Sequence, residues 1–216
     1  MEKIDRRAIK SEITKRLLFE SATQLFREKG FYATTIEDIA AAAGTSVGAF
    51  YYHFCCKEDL VYTWADDLDQ KYNEYYLTQM QQPMHGNALE IIRGMFYLSL
   101  DIYSRWGCEF AAVSYSYMMR VPEVCDRMVN TFRLYYRILT GLVRQGQAEG
   151  SLRTDIPVEQ MVKDITKAVR GAIIDWCIIG GKEPVIERSY AFIETYLDGL
   201  RPQQQTKLKG GVEPEK

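Results

Sequence analysis

Residues 34–60 read TTIEDIAAAAGTSVGAFYYHFCCKEDL, and this stretch predicts two short helices joined by a tight turn and then the start of a third helix. Thr34 and Thr35 mark the first helix start, because a threonine followed three residues later by an acidic side chain forms a capping box. Gly44 ends that helix, since glycine adopts the left-handed conformation at little steric cost. Ser46 then supplies an N-cap for the second helix after a short turn.

So short a link between two helices makes them cross steeply. In a helix-turn-helix, this geometry lets the second helix enter the major groove of DNA while the first lies across the phosphate backbone. The spacing therefore predicts a DNA-reading unit with residues 47–53 as its recognition helix.

A supporting amphipathic helix is predicted before this unit. Apolar residues recur there at the three-to-four spacing of a helix, at Ile9, Ile13, Leu17 with Leu18, Ala22, and Leu25 with Phe26. Gly30 is the natural stop of this helix, and Phe31 beyond it is expected to pack on Phe26. The three helices are expected to share a small core made of Leu17, Phe26, Ile39, Phe50 and Phe54.

The composition is that of a globular protein, with 47% apolar and 26% charged residues among 216. The net charge of −2 averages over the whole chain, whereas residues 1–16 hold six Lys or Arg against three Asp or Glu. A basic arm therefore precedes the predicted DNA-reading unit. The polar start lacks the apolar core of a signal peptide, and no apolar run reaches the roughly 20 residues of a membrane helix, so a cytoplasmic protein without a membrane partner is expected.

Catalytic chemistry is poorly represented in this sequence. It has two histidines, no phosphate-cradling glycine loop and no HExxH motif, so we expect no enzymatic activity. The five cysteines lack the spacing of metal ligands, so reduced thiols, no metal site and no cofactor are expected. An all-helical interaction protein that no longer reads DNA is a further alternative.

The rest of the chain is also predicted to be helical, which makes the fold all-α with about nine helices. Turn-forming residues separate helices expected at residues 57–82, 88–105, 109–119, 123–149, 158–179 and 185–200. Residues 202–216 contain too little apolar surface to fold and are expected to form a flexible tail. The expected domains are a helix-turn-helix domain at 1–56, a helical effector-binding and dimerisation domain at 57–201, and the tail.

The last two predicted helices carry apolar side chains at alternating spacings of four and three residues, typical of helices that pack along another helix. We interpret this seam as a two-fold dimer interface made of Met161, Ile165, Ala172, Ile186, Tyr190, Ile193, Leu197 and Leu200. Burial inside a single chain is the alternative explanation. A homodimer suits a helix-turn-helix protein, because two copies about one DNA turn apart match a palindromic site.

The pattern TTIEDIAxxAG, a short turn and then GAFYYHFxxKEDL resembles the N-terminal domain of the TetR family of bacterial one-component transcriptional repressors. The specific resemblance covers residues 19–60, and the remainder agrees with the family in helical character, length and helix spacing. The resemblance implies a dimeric repressor that binds double-stranded operator DNA. It also implies release from a palindromic operator when a small-molecule effector binds the C-terminal domain.

The resemblance further implies which residues meet DNA. A phosphate would be contacted by Thr35. Base edges and the DNA backbone would be met by Ser46, Val47 and Gly48. The phosphate clamp would consist of Tyr51, Tyr52, His53 and Lys57, whose O–H and N–H groups can donate to phosphate oxygens. Tyr51 as a core residue and His53 as an ordinary helix histidine are the alternatives.

Two positions depart from the family pattern. Val47 stands where relatives often carry a basic residue, which replaces a guanine reader by an apolar group suited to a thymine methyl. Cys55 and Cys56 stand where a small polar capping residue is commoner. A thiol beside a helix N-terminus, Lys57 and His53 is expected to have a lowered pKa, so a redox response at the DNA face is an alternative to effector control.

Aromatic and methionine side chains are dense between residues 97 and 176, and they indicate a site for apolar or aromatic effectors. The expected wall is Tyr97, Tyr103, Trp106, Phe110, Tyr115, Tyr117, Met118, Met119, Tyr135 and Trp176. Ordinary core packing is the alternative. Asp101, Glu109 and Asp175 lie in the same region and would suit a cationic effector, unless they face solvent or pair with arginines.

Overall fold

The computed structural model describes residues 6–82 and 86–203. Within these ranges the chain forms α-helices and one 3₁₀ turn, without a strand, so the all-α prediction is confirmed. The elements are α1 (Arg6–Lys29), α2 (Ile36–Ala42), α3 (Val47–His53), the 3₁₀ turn (Lys57–Asp59), α4 (Leu60–Met80), α5 (Ala88–Trp106), α6 (Cys108–Arg120), α7 (Pro122–Val129), α8 (Leu134–Glu149), α9 (Val158–Ile178) and α10 (Val185–Gly199). Residues 1–5 of the basic arm and 204–216 of the expected tail lie outside the described residues.

Both ends of α2 are fixed by local hydrogen bonds. Thr35 Oγ1 accepts from the Asp38 amide at 3.1 Å, and Asp38 Oδ2 accepts from the Thr35 amide at 2.9 Å, which is the expected capping box. Gly44 follows the helix with a φ of +63°, and the Thr45 amide donates to the Ala40 carbonyl at 2.9 Å in a Schellman ending. The turn before α3 is therefore set by residues within a few positions of it.

The predicted recognition helix, α3, starts at the predicted N-cap and is oriented by one buried ring. Ser46 Oγ accepts from the Ala49 amide at 3.1 Å. Phe50 is fully buried and packs on Phe54 with ring centroids 5.3 Å apart. Because α3 is only two turns long, burying this one face turns the opposite face to solvent.

The core of the first three helices contains Leu18 rather than the predicted Leu17. The other four predicted core residues are buried as expected, whereas Leu17 is 45% exposed. Ile13 and Ile9, one and two turns before Leu17, are exposed as well. Neighbouring residues lie about 100° apart around a helix. The spacing correctly predicted a helix but combined two different faces of it.

An aromatic cluster joins the helix-turn-helix to the helices behind it. Trp64 of α4 packs edge-on against Trp106 of α5 and Phe110 of α6, with ring centroids 6.1 Å and 5.4 Å away. Phe110 also lies 5.9 Å from Phe26 of α1 and 6.3 Å from Phe31. One hydrophobic core therefore runs from α1 into the C-terminal helices. Because such interiors are close-packed, a shift of α6 is felt by α1.

The helix predicted over residues 123–149 is two helices, α7 and α8, which raises the expected number from about nine to ten in the described ranges. Asn130 follows α7, and its Oδ1 accepts from the Phe132 amide at 2.9 Å. A short polar side chain that bonds the nearby backbone in this way competes with the helical hydrogen bonds. Arg133, with a ψ of 148°, then precedes α8 in a non-helical conformation. The break turns its side chain inward.

Six of the eight residues of the predicted dimer seam are buried inside the single chain, so their assignment to an interface is wrong. These six are at most 6% exposed, namely Met161, Ile165, Ala172, Ile193, Leu197 and Leu200. The reason is that this face of α9 and α10 packs against α5 and α8. Ile186 is half-buried and Tyr190 is 58% exposed. No helix in the described ranges has the length and apolar character needed to cross a membrane.

Candidate nucleic-acid interface and effector cavity

The outer face of α3 presents two large exposed aromatic side chains. Tyr51 is 55% exposed and Tyr52 is 79% exposed. Each offers a hydroxyl donor on a stiff stem, which suits a fixed contact to a phosphate oxygen. Tyr51 is therefore a surface residue and not part of the core.

Gly48 lies in the first turn of α3 and is exposed. A Cβ atom at this position would meet only Ser46 Oγ, at an ordinary 3.7 Å, and its φ is not positive. Neither backbone conformation nor space within the chain requires a glycine here. Glycine in a helix costs about 0.5–1 kcal/mol relative to alanine, so the fold alone does not account for Gly48.

Three further residues of the predicted interface lie at the starts of α2 and α3. Thr35 and Ser46 are exposed, and Val47 is half-buried beside them. The hydroxyls of Thr35 and Ser46 already accept the helix-capping bonds. A hydroxyl that accepts in this way keeps its own O–H to donate, so capping does not prevent a phosphate contact.

His53 ends α3 and is half-buried. Burial and the positive charge of Lys15 lower the pKa of His53 below its ordinary value, while Glu12 opposes the shift. His53 is therefore neutral at neutral pH and can donate one ring N–H. Lys15 and Glu12 show that the middle of α1 runs close to the end of α3.

Lys57 is held more firmly by its own chain than the clamp prediction assumed. Its Nζ donates to the Phe31 carbonyl at 2.6 Å and to the Thr34 carbonyl at 2.7 Å, and it lies 4.3 Å from the centre of the Phe31 ring. Burial lowers the pKa of Lys57. Two of its three N–H groups therefore fix the loop before α2, which leaves one for a phosphate.

The predicted lowering of a thiol pKa beside the recognition helix is wrong for Cys56. Burial raises the pKa of the Cys56 thiol, whose Sγ lies 3.8 Å from the Tyr117 hydroxyl. The predicted helix start at Lys57 is instead a 3₁₀ turn, and α4 begins only at Leu60. The Tyr117 hydroxyl and the Asp59 amide oppose the upward shift of the Cys56 pKa, but burial outweighs them. Cys55 is exposed. A thiol of raised pKa is a poor nucleophile, which weakens the redox alternative.

A cavity of about 50 Å³ lies among α4, α5, α6, α7, α8 and α9. Its walls combine apolar, aromatic and cationic side chains from Leu68, Tyr72, Tyr103, Tyr115, Met118, Met128, Arg133, Tyr135, Tyr136, Thr166, Val169 and Arg170. A smaller void of about 10 Å³ lies behind Tyr135 and Val169. Small-molecule pockets usually measure at least roughly 300 Å³. The helices must therefore move apart before an effector of ordinary size can enter.

Two arginines supply the charge at this cavity. Arg133 donates to both carboxylate oxygens of Asp69, at 2.6 Å and 3.1 Å, and each side chain of this pair is only 12% exposed. Arg170 donates to the Tyr136 hydroxyl at 3.0 Å and to the Met128 carbonyl at 3.4 Å. In the described ranges Arg170 forms no ion pair, whereas Arg133 is fully paired.

Burial makes the cavity phenols Tyr72 and Tyr135 harder to ionise. Burial raises the pKa of Tyr135 to about 12 and shifts the pKa of Tyr72 upward as well. The Tyr72 hydroxyl lies 2.7 Å from Ser99 Oγ, and the Tyr135 hydroxyl lies 3.4 Å from Thr166 Oγ1. These hydroxyls can accept or donate hydrogen bonds without adding charge.

Four of the predicted wall residues line the cavity, namely Tyr103, Tyr115, Met118 and Tyr135. The other six predicted wall residues, Tyr117 among them, do not line it. Met119 is 72% exposed, Tyr97 donates to Glu194, and Trp176 donates to the Glu183 carbonyl. The Trp106 and Phe110 rings belong to the aromatic cluster that contacts α1. These five residues do not line this cavity, since an aromatic composition does not tell which face of a helix a ring occupies.

The sequence reasoning missed both cavity arginines. It also missed Leu68, Tyr72, Met128, Tyr136, Thr166 and Val169. One usable signal was present, since Arg170 interrupts an otherwise apolar run on the inner side of α9. The sequence contains no comparable signal for Arg133, because its inward position depends on the break between α7 and α8.

The three carboxylates considered for a cationic effector face away from the cavity. Asp101 pairs with Arg105 at 2.9 Å, and Asp175 pairs with Arg188 at 2.6 Å. Glu109 Oε2 accepts from the Tyr32 amide at 3.4 Å, at the junction with α1. A cationic effector thus finds no free carboxylate among them. Nor do the described ranges contain a group of three or more His, Cys, Asp or Glu suited to a metal ion.

Helix α6 touches both the cavity and the helix-turn-helix. Tyr115 and Met118 line the cavity from one side of α6. From another side, the Tyr117 hydroxyl donates to Asp59 Oδ1 at 3.0 Å, and Asp59 Oδ2 accepts from the Cys55 amide at 2.9 Å. Cys55 lies two residues after the end of α3. The recognition helix is thus connected to the cavity wall through one helix and two hydrogen bonds.

Two family models match the sequence. The model described as bacterial regulatory proteins of the tetR family matches residues 18–62. The model described as tetracyclin repressor-like, C-terminal domain, matches residues 95–206. The first match contains the helix-turn-helix, and the second contains most of α5 and all of α6 to α10.

Individual relatives align over most of this chain. The HTH-type transcriptional repressor KstR2 of Rhodococcus jostii is 28% identical over 196 residues, which cover 85% of this chain and 89% of that protein. The HTH-type transcriptional repressor DhaR of Mycobacterium sp. is 23% identical over 189 residues, which cover 86% and 91%. These relatives carry the names of transcriptional repressors and not of enzymes.

Solved structures share the fold. FadR of Bacillus subtilis in complex with stearoyl-CoA has a TM-score of 0.63 at 18% identity, over 86% of this chain and 99% of that one. The ketosteroid transcriptional regulator KstR2 of Mycobacterium tuberculosis has a TM-score of 0.58 at 22% identity, over 88% and 95%.

Proposed function

Because the chain belongs to the TetR family of ligand-responsive DNA-binding repressors, we propose that it is a dimer that leaves a palindromic operator when a small molecule opens the α4–α9 cavity. The observation that carries the DNA-binding half of this proposal is the contrast on α3. Phe50 is fully buried, while the tyrosines that follow it are exposed and Gly48 is not required by the fold. This contrast suits a helix that lies in a groove of DNA.

Within this proposal the DNA contacts divide by chemistry. Gly48 lets the backbone of α3 approach the bases, and Val47 beside it offers an apolar group to a thymine methyl. Thr35 and Ser46 donate from the two helix starts. The phosphate clamp consists of Tyr51, Tyr52 and His53, with the remaining N–H of Lys57, and it fixes the register of α3 on the operator.

The effector is proposed to act through α6. A cavity of about 50 Å³ must grow several-fold to hold a ligand, so binding is coupled to movement of its walls. Movement of Tyr115 and Met118 shifts Tyr117 on the same helix, and with it the hydrogen bond to Asp59 next to α3. Such a shift changes the separation of the two recognition helices in a dimer, which decides whether both fit the operator.

A large apolar effector fits this scheme. FadR in its solved structure binds stearoyl-CoA, and KstR2 is named as a ketosteroid regulator. The apolar and aromatic side chains of the present cavity are consistent with ligands of comparable apolarity. A thiol switch is not favoured, because the pKa of Cys56 is raised by burial.

The dimer interface is proposed to use the outer faces of α9 and α10. Ile178 is 77% exposed, and Tyr190 and Phe192 are 58% and 50% exposed. Gly171 is exposed on α9 with open space around it, which permits close approach of a second helix. Tyr190 belongs to the predicted seam, and Ile178, Phe192 and Gly171 would replace its buried members.

Selection of bound DNA from a random pool tests the proposed function. The full chain is mixed with random duplexes, bound DNA is sequenced, and affinity for the selected duplex is compared with that for a scrambled duplex. We expect a palindromic sequence bound roughly 1000-fold more tightly than the scramble at physiological salt. Equal affinity for both duplexes would mean that the protein is not a specific DNA-binding repressor.

A further inference from the structure

The two cavity arginines differ in what neutralises them. The bidentate pair with Asp69 and the carbonyls of Ala65 and Met128 satisfy the Arg133 guanidinium. Arg170 has only neutral partners in the described part of the chain, and one of them lies at 3.4 Å. The cavity therefore carries one positive charge in excess. A partly buried cation without a counter-ion is stabilised by an anion that enters beside it.

Hydrogen-bond donors converge on the same place. The positive charge of Arg170 acts on the buried phenols of Tyr103, Tyr115 and Tyr135, where it opposes the upward shift of their pKa values. The rings of Tyr103 and Tyr115 stack with centroids 5.8 Å apart. A guanidinium surrounded by un-ionised phenols offers N–H and O–H donors without a competing carboxylate, which is the donor set that an oxygen anion requires.

The inner end of the cavity, behind Tyr135, is apolar rather than cationic. The void behind Tyr135 is lined by Ile92, Met95, Phe96, Leu139, Ile165 and Val169, together with Ser99. The hydroxyl of Ser99 is already engaged by the Met95 carbonyl and the Tyr72 hydroxyl. Rotation of the Tyr135 ring would join this void to the main cavity. The joined space would be cationic at one end and apolar at the other.

From this polarity, and resting on the proposed function, we infer that the effector is an amphipathic anion. Its carboxylate or phosphate group binds Arg170, and its apolar body extends past Tyr135 into the void between α5, α8 and α9. The anion competes with the Met128 carbonyl and the Tyr136 hydroxyl for the Arg170 guanidinium. Ligand binding thereby detaches α9 from α7 and opens the wall that is too tight in the free protein.

Four ten-carbon probes that differ only in the head group test this inference. Binding of decanoate, decyl phosphate, decan-1-ol and decylamine to the full chain is measured by titration calorimetry at pH 7.5. We expect one or both anions to bind roughly tenfold or more tightly than the alcohol, with the amine weakest. The relative affinity of the carboxylate and the phosphate then identifies the preferred head group.

Variants of the arginine assign the preference to one residue. Arg170→Gln keeps a donor to Tyr136 but removes the charge, and it should bring anion affinity down to that of the alcohol while alcohol affinity stays within about twofold. Arg170→Lys should restore part of the preference. Arg137→Gln removes an exposed charge from the neighbouring α8 and should leave all four affinities unchanged.

Three results would overturn the inference: no anion binding to the wild-type chain at 1 mM, tighter binding of the alcohol or the amine, or an anion preference that survives in Arg170→Gln. Operator affinity without probe is measured for the same proteins. Wild-type protein that prefers anions but binds no specific DNA would contradict the proposed repressor while leaving the ligand class intact. Specific DNA binding without an anion preference would contradict the inferred ligand class while leaving the proposed repressor intact.

Discussion

The helix-turn-helix and the effector region are built by different means. The first is fixed by bonds between residues a few positions apart, such as the Thr35 capping box and the Gly44 turn. The second depends on contacts between distant residues, such as Arg133 with Asp69, 64 positions apart. Locally fixed structure presents the same surface whatever happens elsewhere, whereas a site assembled from six helices can change when any of them moves. The first arrangement suits reading DNA, and the second suits sensing a ligand.

The largest expected effect is a loss of stability in the effector region, which depends on contacts between distant residues. Asp69→Asn leaves the Arg133 guanidinium without its counter-charge in a site where both side chains are 12% exposed. We expect unfolding in urea to show a loss of about 3–5 kcal/mol. Asp101→Asn, which removes a carboxylate from an exposed pair with Arg105, serves as control and should cost less than about 1 kcal/mol. Equal losses in both variants would contradict the role given to the buried pair.

The next effect is a loss of operator affinity without a loss of stability in the helix-turn-helix. Gly48→Val should reduce operator affinity roughly 100-fold, because the new side chain holds α3 away from the bases. Thermal stability should not fall, since space around Gly48 is open. Gly141→Val, at another exposed helix glycine with open surroundings, is the matched control and should bind the operator normally. Destabilisation by Gly48→Val alone would indicate that the glycine serves the fold.

A smaller effect tests the connection between the two regions. Tyr117→Phe removes the hydrogen bond to Asp59 and should cost about 1–2 kcal/mol of unfolding free energy. In fluorescence anisotropy, the tightest-binding ten-carbon probe should then displace operator DNA from the variant less completely than from the wild-type protein. Tyr97→Phe loses a comparable bond to Glu194 between α5 and α10 and should leave the ligand response unchanged. The same weakened response in both variants would show that α6 is not a specific connection.

The smallest effect concerns the proton on His53. The pKa of free His53 is lowered by burial and Lys15, and a neighbouring phosphate would raise it. The complex therefore binds more protons than the free protein, so operator affinity should increase by about threefold as the pH falls from 7.5 to 6.0. The increase should vanish in His53→Gln. If operator affinity of His53→Gln still rises by the same factor as the pH falls, the pH dependence belongs to another group.

The success of the sequence predictions follows the same division. Thr35, Gly44, Ser46 and the pairing of Phe26 with Phe31 were predicted correctly, because each depends on neighbours within a few residues. The error at Leu17 arose from a choice between two adjacent faces of one helix. Such a choice is made by tertiary packing rather than by spacing.

The effector region exposes the limit of sequence reasoning. Aromatic residues were correctly expected in this part of the chain, but Trp106 and Phe110 went into the junction with α1 instead of the cavity. Arg133 reaches the cavity only because Asn130 interrupts the helix that the spacing predicted. Likewise, the apolar seam on α9 and α10 fits a core and an interface equally well, since both bury the same kind of side chain.

The most direct test of the central claim counts protein chains on DNA. The selected operator is titrated in analytical ultracentrifugation and by anisotropy at increasing salt. We predict two protomers on each duplex, and an affinity that falls steeply with salt because the clamp side chains contact phosphates. A single protomer bound per duplex, or an affinity insensitive to salt, would contradict the account of paired recognition helices controlled from the effector cavity.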